Sequence, residues 1–438
     1  MNFRTSLAVL DLPRYIRLSK EAVLVIFGQL VSIIGQLLLV RVLTEYLDPS
    51  QYGQLALALT IAGLVNQLVM GGVIAGIGRF YSVAAEKNSV PDYLKASVEL
   101  MTYASAVVIV MGVVLIAGLL YLGYSRWIGL SALVVILSLF NAYNSSINSV
   151  FCASRQRALV IYNGVLDAFL KIIFVLVLVS GLGSSSVTVI MAYLLSALFV
   201  LISQSVSLLR ATSANLLSVS GPTNTWIKQI WEYSWPFITW GIFGWAQQSA
   251  PRWALEQFAT TADVGCFSVI SQLGYTPIQT VINFVMALMT PILFSRVGDA
   301  SCPIRKQNVS DVTNKIALFG IGMSTLALLL ASGLHSTVFH LFVSERYWPV
   351  SHYLPWFVFG GGVFVVAQIY ASRLMAFMLP HTLIFASIGS SLIGIIASYV
   401  GVYFFTLQGA VASVVIHALS YFLLVILATN FALKKAQS

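Results

Sequence analysis

The side chains able to do chemistry in this chain are few, and nearly all of them interrupt long apolar stretches. Asp167 and Lys171 stand four apart in an apolar run, a spacing that puts both on one helical face. Either charge alone inside a bilayer costs about 2.5 to 3.5 kcal/mol on insertion scales, so pairing is the simplest expectation. The sharper reading turns Lys171 toward an anionic ligand, with Asp167 as its tuner. Asn141, Asn144, Ser145, Asn148 and Cys152 recur at steps of three or four and form one stripe. Such a stripe is either glue between helices, worth about 0.6 kcal/mol per contact on average, or the wall of a polar cavity. The same two readings apply to Gln29, Ser32 and Gln36, to Asn66 and Gln67, and to Gln272, Gln279 and Asn283.

Aromatic and cationic residues add a second set. Trp226, Trp231, Trp235, Trp240 and Trp245 are five of the nine tryptophans, and their steps of four and five drift around a helix. An interfacial belt accounts for Trp226 and Trp231. Trp235, Trp240 and Trp245 lie deeper and are candidates for a cavity wall, on a helix that Pro236, Gly241 and Gly244 would let bend. His417 is a histidine well inside an apolar run, either packed there or a proton site. Arg41 with Glu45 and Arg252 with Glu256 share one spacing, which fits two bridges at helix ends or the two halves of a gate. Arg79, Arg296 and Arg373 read as topology signals that would also gather an anion.

Covalent chemistry is not expected. The sequence has no phosphate-binding glycine loop, no metal-spaced His and Cys cluster and no nucleophile with its base, so neither an enzyme nor a cofactor or metal is expected. Gly360, Gly361 and Gly362 signal flexibility or close packing. Cys152, Cys266 and Cys302 are too scattered for a disulfide framework. The net charge of +9 would suggest nucleic acid only if the charges clustered on one face, and their distribution is topological instead.

The elements that must carry these residues follow from composition. Of 438 residues, 59% are hydrophobic and 8% charged, against roughly a quarter charged in a soluble domain. Twelve apolar runs are predicted to span a bilayer: 20–40, 51–76, 97–122, 128–152, 158–181, 186–208, 229–249, 264–291, 314–334, 352–372, 381–403 and 406–431. Of the Lys and Arg residues, all but Arg41, Arg126, Arg252, Arg346 and the intramembrane Lys171 fall on the side of the N-terminus. The positive-inside rule therefore puts both termini in the cytoplasm. The N-terminal stretch has no cleavable leader pattern and is expected to be retained. The polar stretch 209–228 divides the spans into an N-terminal lobe, 1–208, and a C-terminal lobe, 229–438. The hinge Arg41 to Gly53, with Pro49, resembles Arg252 to Gly265 in the second half, the glycines being out of step by one. An all-α polytopic protein of two parallel six-helix lobes around a central cavity is the expectation.

Residues 19 to 86 carry a resemblance to a known family. Arg41, Leu43 and Leu47, then Tyr52 and Gly53, then Gly76, Arg79 and Phe80 are similar to the opening of polysaccharide-transport proteins. These are the Wzx-type flippases of O-antigen and other lipid-linked oligosaccharides. The resemblance covers about the first fifth in motif and the remainder in helix number and repeat. It implies the fold of the multidrug, oligosaccharidyl-lipid and polysaccharide exporter superfamily, with alternating access in a bacterial inner membrane. It also implies a polyprenyl-(pyro)phosphate-linked repeat unit as substrate, and a polysaccharide polymerase and chain-length regulator as partners. Helices one, two, seven and eight border the cavity in that fold, and Arg41, Arg79, Arg252 and Arg296 become phosphate or gate candidates. The alternatives are a cation-coupled multidrug exporter of the same superfamily, which wants an acidic site, and a membrane-bound polymerase or glycosyltransferase, which wants a large polar loop.

Overall fold

The computed structural model describes residues 12–123, 127–212, 223–297, 303–377 and 380–435, and side chains are described at all of these except 12–26, 69, 211–212, 236–240, 283–284, 287–292, 294–297, 303, 306, 380–381 and 431–435. Among them the chain is helical from end to end. The helices are α1 (Leu12–Tyr46), α2 (Pro49–Val65), α3 (Gly72–Glu86), α4 (Val90–Tyr121), α5 (Ile128–Ala153), α6 (Arg157–Leu182), α7 (Ser186–Thr212), α8 (Thr223–Phe258), α9 (Thr261–Val297), α10 (Pro303–Phe342), α11 (Leu354–Ala376) and α12 (Pro380–Lys435). A π-helical stretch, Asn66–Gly71, joins α2 to α3, and a 3-10 segment, Glu345–Tyr353, leads into α11. Eight of the described helices are long and apolar enough to cross a membrane, and the bent α2–α3 pair makes a ninth. With α8, α9 and a reversal inside α12, the twelve predicted spans are present as helical rods.

The reversal in α12 was expected between two separate spans. Thr406 turns the chain at φ 47°, and contacts on either side pair off in opposite directions. Ser398 donates to Ser413 at 3.0 Å, and a side chain at Gly394 would meet His417. The two halves of α12 therefore form an antiparallel hairpin, with a β-branched residue held in a backbone region that glycine normally takes.

Helices α1 to α7 form one lobe and α8 to α12 the other. The duplication read from the two hinges is structural. Asp48 caps α2, its carboxylate accepting from the Gln51 N–H at 2.8 Å, and Pro49 follows where a missing N–H costs nothing. Thr260 does the same for α9, its hydroxyl accepting from the Asp263 N–H at 3.1 Å. Gly53 and Gly265 lie at the same distance beyond these two caps, so the one-residue offset arises before the caps. The two glycines meet across the lobe boundary. A Cβ on Gly53 would overlap the Thr261 carbonyl, and one on Gly265 would overlap the Pro49 carbonyl. Only glycine lets α2 and α9 cross at this distance.

That crossing sits inside the largest core of the molecule. Leu43, Leu47 and Leu55 of the first lobe pack there with Leu255, Val264, Ile270, Phe339 and Tyr347 of the second. The lobes are thus fused at the hinge end, the end that holds both hinges. At the far end a second core joins α3, α4 and α5 to Trp226 and Ile230 of α8. Among the described residues, no buried cluster at the far end includes α1.

Candidate functional site

Between the lobes lies a cavity of about 820 Å³, within the range of small-molecule sites. Its walls are α8, α9, α11 and both halves of α12, closed on one side by Gly63, Asn66, Gln67, Gly71 and Ala75 of the α2–α3 rod. From Phe267 near the hinge end to Gln279, the α9 wall runs about 18 Å at 1.5 Å per residue. Arg252 and Phe267 are at the hinge end of this wall, next to the fused core. Gln279, Gln368, Ser387 and Tyr421 are at the other end.

Two details fix the α2–α3 wall. The π-helical stretch carries Asn66 and Gln67 onto the cavity, a placement common for such bulges at functional sites. Gln67 then lies against α8, where any side chain at Gly241 would displace it. Trp245 donates to the Thr60 carbonyl at 2.8 Å, and Trp253 donates to the Thr60 hydroxyl at 3.0 Å. Toward the far end a Cβ on Gly76 would strike Ser234 and Ile230, Phe80 meets Tyr233 edge-on, and Tyr93 meets Trp226. Among the described residues, the α2–α3 rod is welded to α8 at points from Thr60 to Phe80. Two hydrogen bonds at roughly 1 kcal/mol each do not account for this, and the close packing over Gly76 and Gly241 supplies the remainder.

The related seam between α1 and α9 differs. Those helices touch only briefly. Toward the far end α1 leans on α6, with Gly28 against Ile161 and Gly35 against Ala168. Phe27, Leu30, Ile34 and Leu38 make an exposed apolar stripe, while Gln29 and Gln36 are exposed on another face. Among the described residues, this seam has fewer contacts than its partner.

Arg252 is the formal charge on the cavity wall, and no carboxylate is among the described lining residues. The Arg252 guanidinium donates to the Ser268 hydroxyl and to the Gln248 carbonyl, both at 3.1 Å, and lies over the Phe267 ring. The expected bridge to Glu256 is therefore not made. Ser268 and the helix's own carbonyl satisfy the guanidinium instead, and one oxygen of Glu256 is buried without a partner. The matching bridge does form: Arg41 pairs with Glu45 at 3.2 Å and also donates to the Val343 carbonyl at 2.6 Å, across the lobe boundary. Beside it Ser344 N–H donates to Thr44, and Tyr347 donates to the Leu47 carbonyl, both at 3.2 Å.

The remaining candidates divide between the cavity and the lobes. Asn66, Trp245, Gln279 and His417 line the cavity. Asn144 donates to the Ala197 carbonyl of α7 at 2.9 Å, and Asn148 accepts from Gln204 of α7 at 3.2 Å, so both hold helices together. Asn141 is half-buried on the same helix. Lys171 donates to Asp167 at 2.6 Å and lies over Tyr193, and Ser196 donates to Asp167 at 2.9 Å. This neutral pair is inside the first lobe, away from the cavity described. Trp235 is exposed, as is Trp231, and Trp226 is buried against Tyr93 of α4 with Lys87 over its ring. Arg79 is exposed, and Arg373 is buried over Tyr370. The side chains of Trp240, Asn283 and Arg296 lie outside those described.

Sequence reasoning missed Tyr275, Phe364 and Tyr421, which line the cavity with His417, and the polar Gln247, Gln368, Ser387, Ser390 and Ser391. The adjacent serines and the amides in apolar runs were a visible signal, whereas single aromatic residues in such runs are not.

No family model matches the chain, and no curated protein matches it. Solved structures do. A multidrug resistance MATE family transporter of the MOP superfamily in an inward-facing conformation is similar at TM-score 0.70 and 13% identity, over 92% of this chain and 95% of that one. The lipid II flippase MurJ, in an inward closed conformation, is similar at TM-score 0.68 and 10% identity, over 94% and 87%. A MOP superfamily transporter from Pyrococcus furiosus, described as having a binding pocket of reverse polarity, is similar at TM-score 0.62 and 14% identity, over 96% and 95%. The fold is that of the MOP superfamily transporters.

Proposed function

We propose that this chain is a flippase for a lipid-linked oligosaccharide, carrying a polyprenyl-(pyro)phosphate-linked repeat unit of O-antigen or another surface polysaccharide across a bacterial inner membrane. The observation that carries the reading is the chemistry of the cavity wall: amides, hydroxyls and aromatic rings, one arginine, and no carboxylate among the described lining residues. A sugar hydroxyl left unpartnered in hydrocarbon costs on the order of 2 to 7 kcal/mol, and this wall offers partners for many. A cationic drug wants a carboxylate, so a cation-coupled exporter fits the wall less well. Arg252 suits an anionic group, and the sparsely packed seam between α1 and α9 lets a polyprenyl tail stay in lipid while the head occupies the cavity.

In this reading both termini are cytoplasmic and the hinge end faces outward, closed by Arg41, Thr44 and Tyr347 against Val343, Ser344 and Leu47. A polysaccharide polymerase and a chain-length regulator act on the product. Deleting the chain in its host tests the proposal: surface polymer is lost and single repeat units accumulate on the cytoplasmic leaflet. Normal polymer together with new sensitivity to cationic drugs contradicts it and favours the exporter.

A further inference from the structure

Four rings on three helices make one continuous surface on the cavity wall. Phe364 of α11 stacks on Tyr421 of α12 with centroids 5.1 Å apart, and meets His417 at 5.9 Å and Tyr275 of α9 at 6.3 Å. His417 and Tyr421 are themselves nearly parallel at 20°. All four line the cavity. Packing alone would explain a ring cluster facing lipid or another helix, but this one borders open space.

Polar groups surround the rings, and their hydrogen-bonding capacity is unused. Gln247, Gln279 and Gln368 all line the cavity, and among the described residues none of their amides bonds to the protein. Each carries two donors and an acceptor and is half-buried on the cavity wall, within reach of a ligand that enters it. Ser391 is also on this wall, beside Ser390 and Ser387. Formal charge is absent from the group, since Arg252 is toward the hinge end, about 12 Å from Tyr275 along the helix axis if Phe267 marks its level.

The rings are inclined to one another by 20 to 48°, and an aromatic wall of this kind bordered by amides suits an uncharged pyranose. Its C–H face lies on aromatic rings and its equatorial hydroxyls point sideways to donors and acceptors. We propose that Tyr275, Phe364, His417 and Tyr421 form a stacking subsite for an uncharged sugar of the transported head, with Gln247, Gln279 and Gln368 binding its hydroxyls. The second lobe then reads the sugar, and the first lobe supplies only the α2–α3 wall. This inference rests on the flippase reading and specifies which part of the substrate the second lobe holds.

Two short-chain probes separate the inference from the reading on which it rests: citronellyl pyrophosphoryl-N-acetylglucosamine, and citronellyl pyrophosphate without sugar. Binding to the full chain in lipid nanodiscs is followed by Trp245 fluorescence, since Trp245 lines the same cavity. Wild type binds the sugar-bearing probe about tenfold tighter. Phe364→Leu and the double substitution Gln279→Leu with Gln368→Leu lose that preference without changing affinity for the sugarless probe, and Phe364→Trp retains it. Equal affinity for the two probes in wild type overturns the subsite while leaving a pyrophosphate-lipid flippase standing, as does an undiminished preference in the variants. If wild type binds neither probe but binds ethidium, the flippase reading itself falls.

Discussion

The two seams between the lobes differ in how closely they pack. On one side, α8 lies against the α2–α3 rod from Trp226 to Trp253, with Gly76 and Gly241 permitting contact and Thr60 held by two indoles. On the other, α1 parts from α9 and leans on α6, leaving an apolar stripe from Phe27 to Leu38 exposed. A symmetric gate would need both seams to open. Here one seam is closely packed and the other has few contacts among the described residues, while at the hinge end Gly53 meets Gly265.

The largest effect is expected at this crossing. Gly53→Leu places a side chain where Thr261 already sits, and nothing but separation of α2 from α9 relieves it. The hinge-end-closed state should lose more than about 3 kcal/mol, a population shift of roughly 100-fold, seen as loss of transport in cells that retain normal protein levels. A smaller effect separates the seams. Gly241→Leu overpacks the weld and should cost about 1 to 3 kcal/mol, lowering the thermal midpoint in detergent. Ile34→Trp on the sparsely packed seam should change it by less than about 0.5 kcal/mol. Equal losses from the two would erase the distinction. Between these two falls Trp253→Phe, which removes one bond to Thr60 and should cost about 0.5 to 1.5 kcal/mol in the same assay.

Much of this architecture was legible in the residues, because membrane spans announce themselves by length and the two hinges by their Arg and Glu spacing and their glycines. Arg41 with Glu45 and Asp167 with Lys171 paired as spacing implied. Spacing within one helix did not reveal which neighbour would compete: Ser268 on α9 took Arg252 from Glu256, and α7 took Asn144 and Asn148. The tryptophans of α8 divide, as their drifting steps implied: Trp245 lines the cavity and Trp231 and Trp235 are exposed. Their drift spreads them over the weld, the exposed face and the cavity, and only the packing of α3, α4 and α12 decides which is which. The aromatic shelf was not legible because Tyr275, Phe364 and Tyr421 come from three helices distant in sequence.

The central claim, that the lobes must part at the hinge end for a sugar-lipid to cross, has a direct test. In a chain whose three native cysteines are serine, Thr44→Cys and Ser344→Cys place two thiols across the closed boundary. The full chain is reconstituted in liposomes with a fluorescent short-chain polyprenyl-pyrophosphoryl saccharide, and its appearance in the opposite leaflet is timed. Transport that stops on oxidation and resumes on reduction is the expected result. Transport that continues unchanged with the two cysteines bonded would contradict the account.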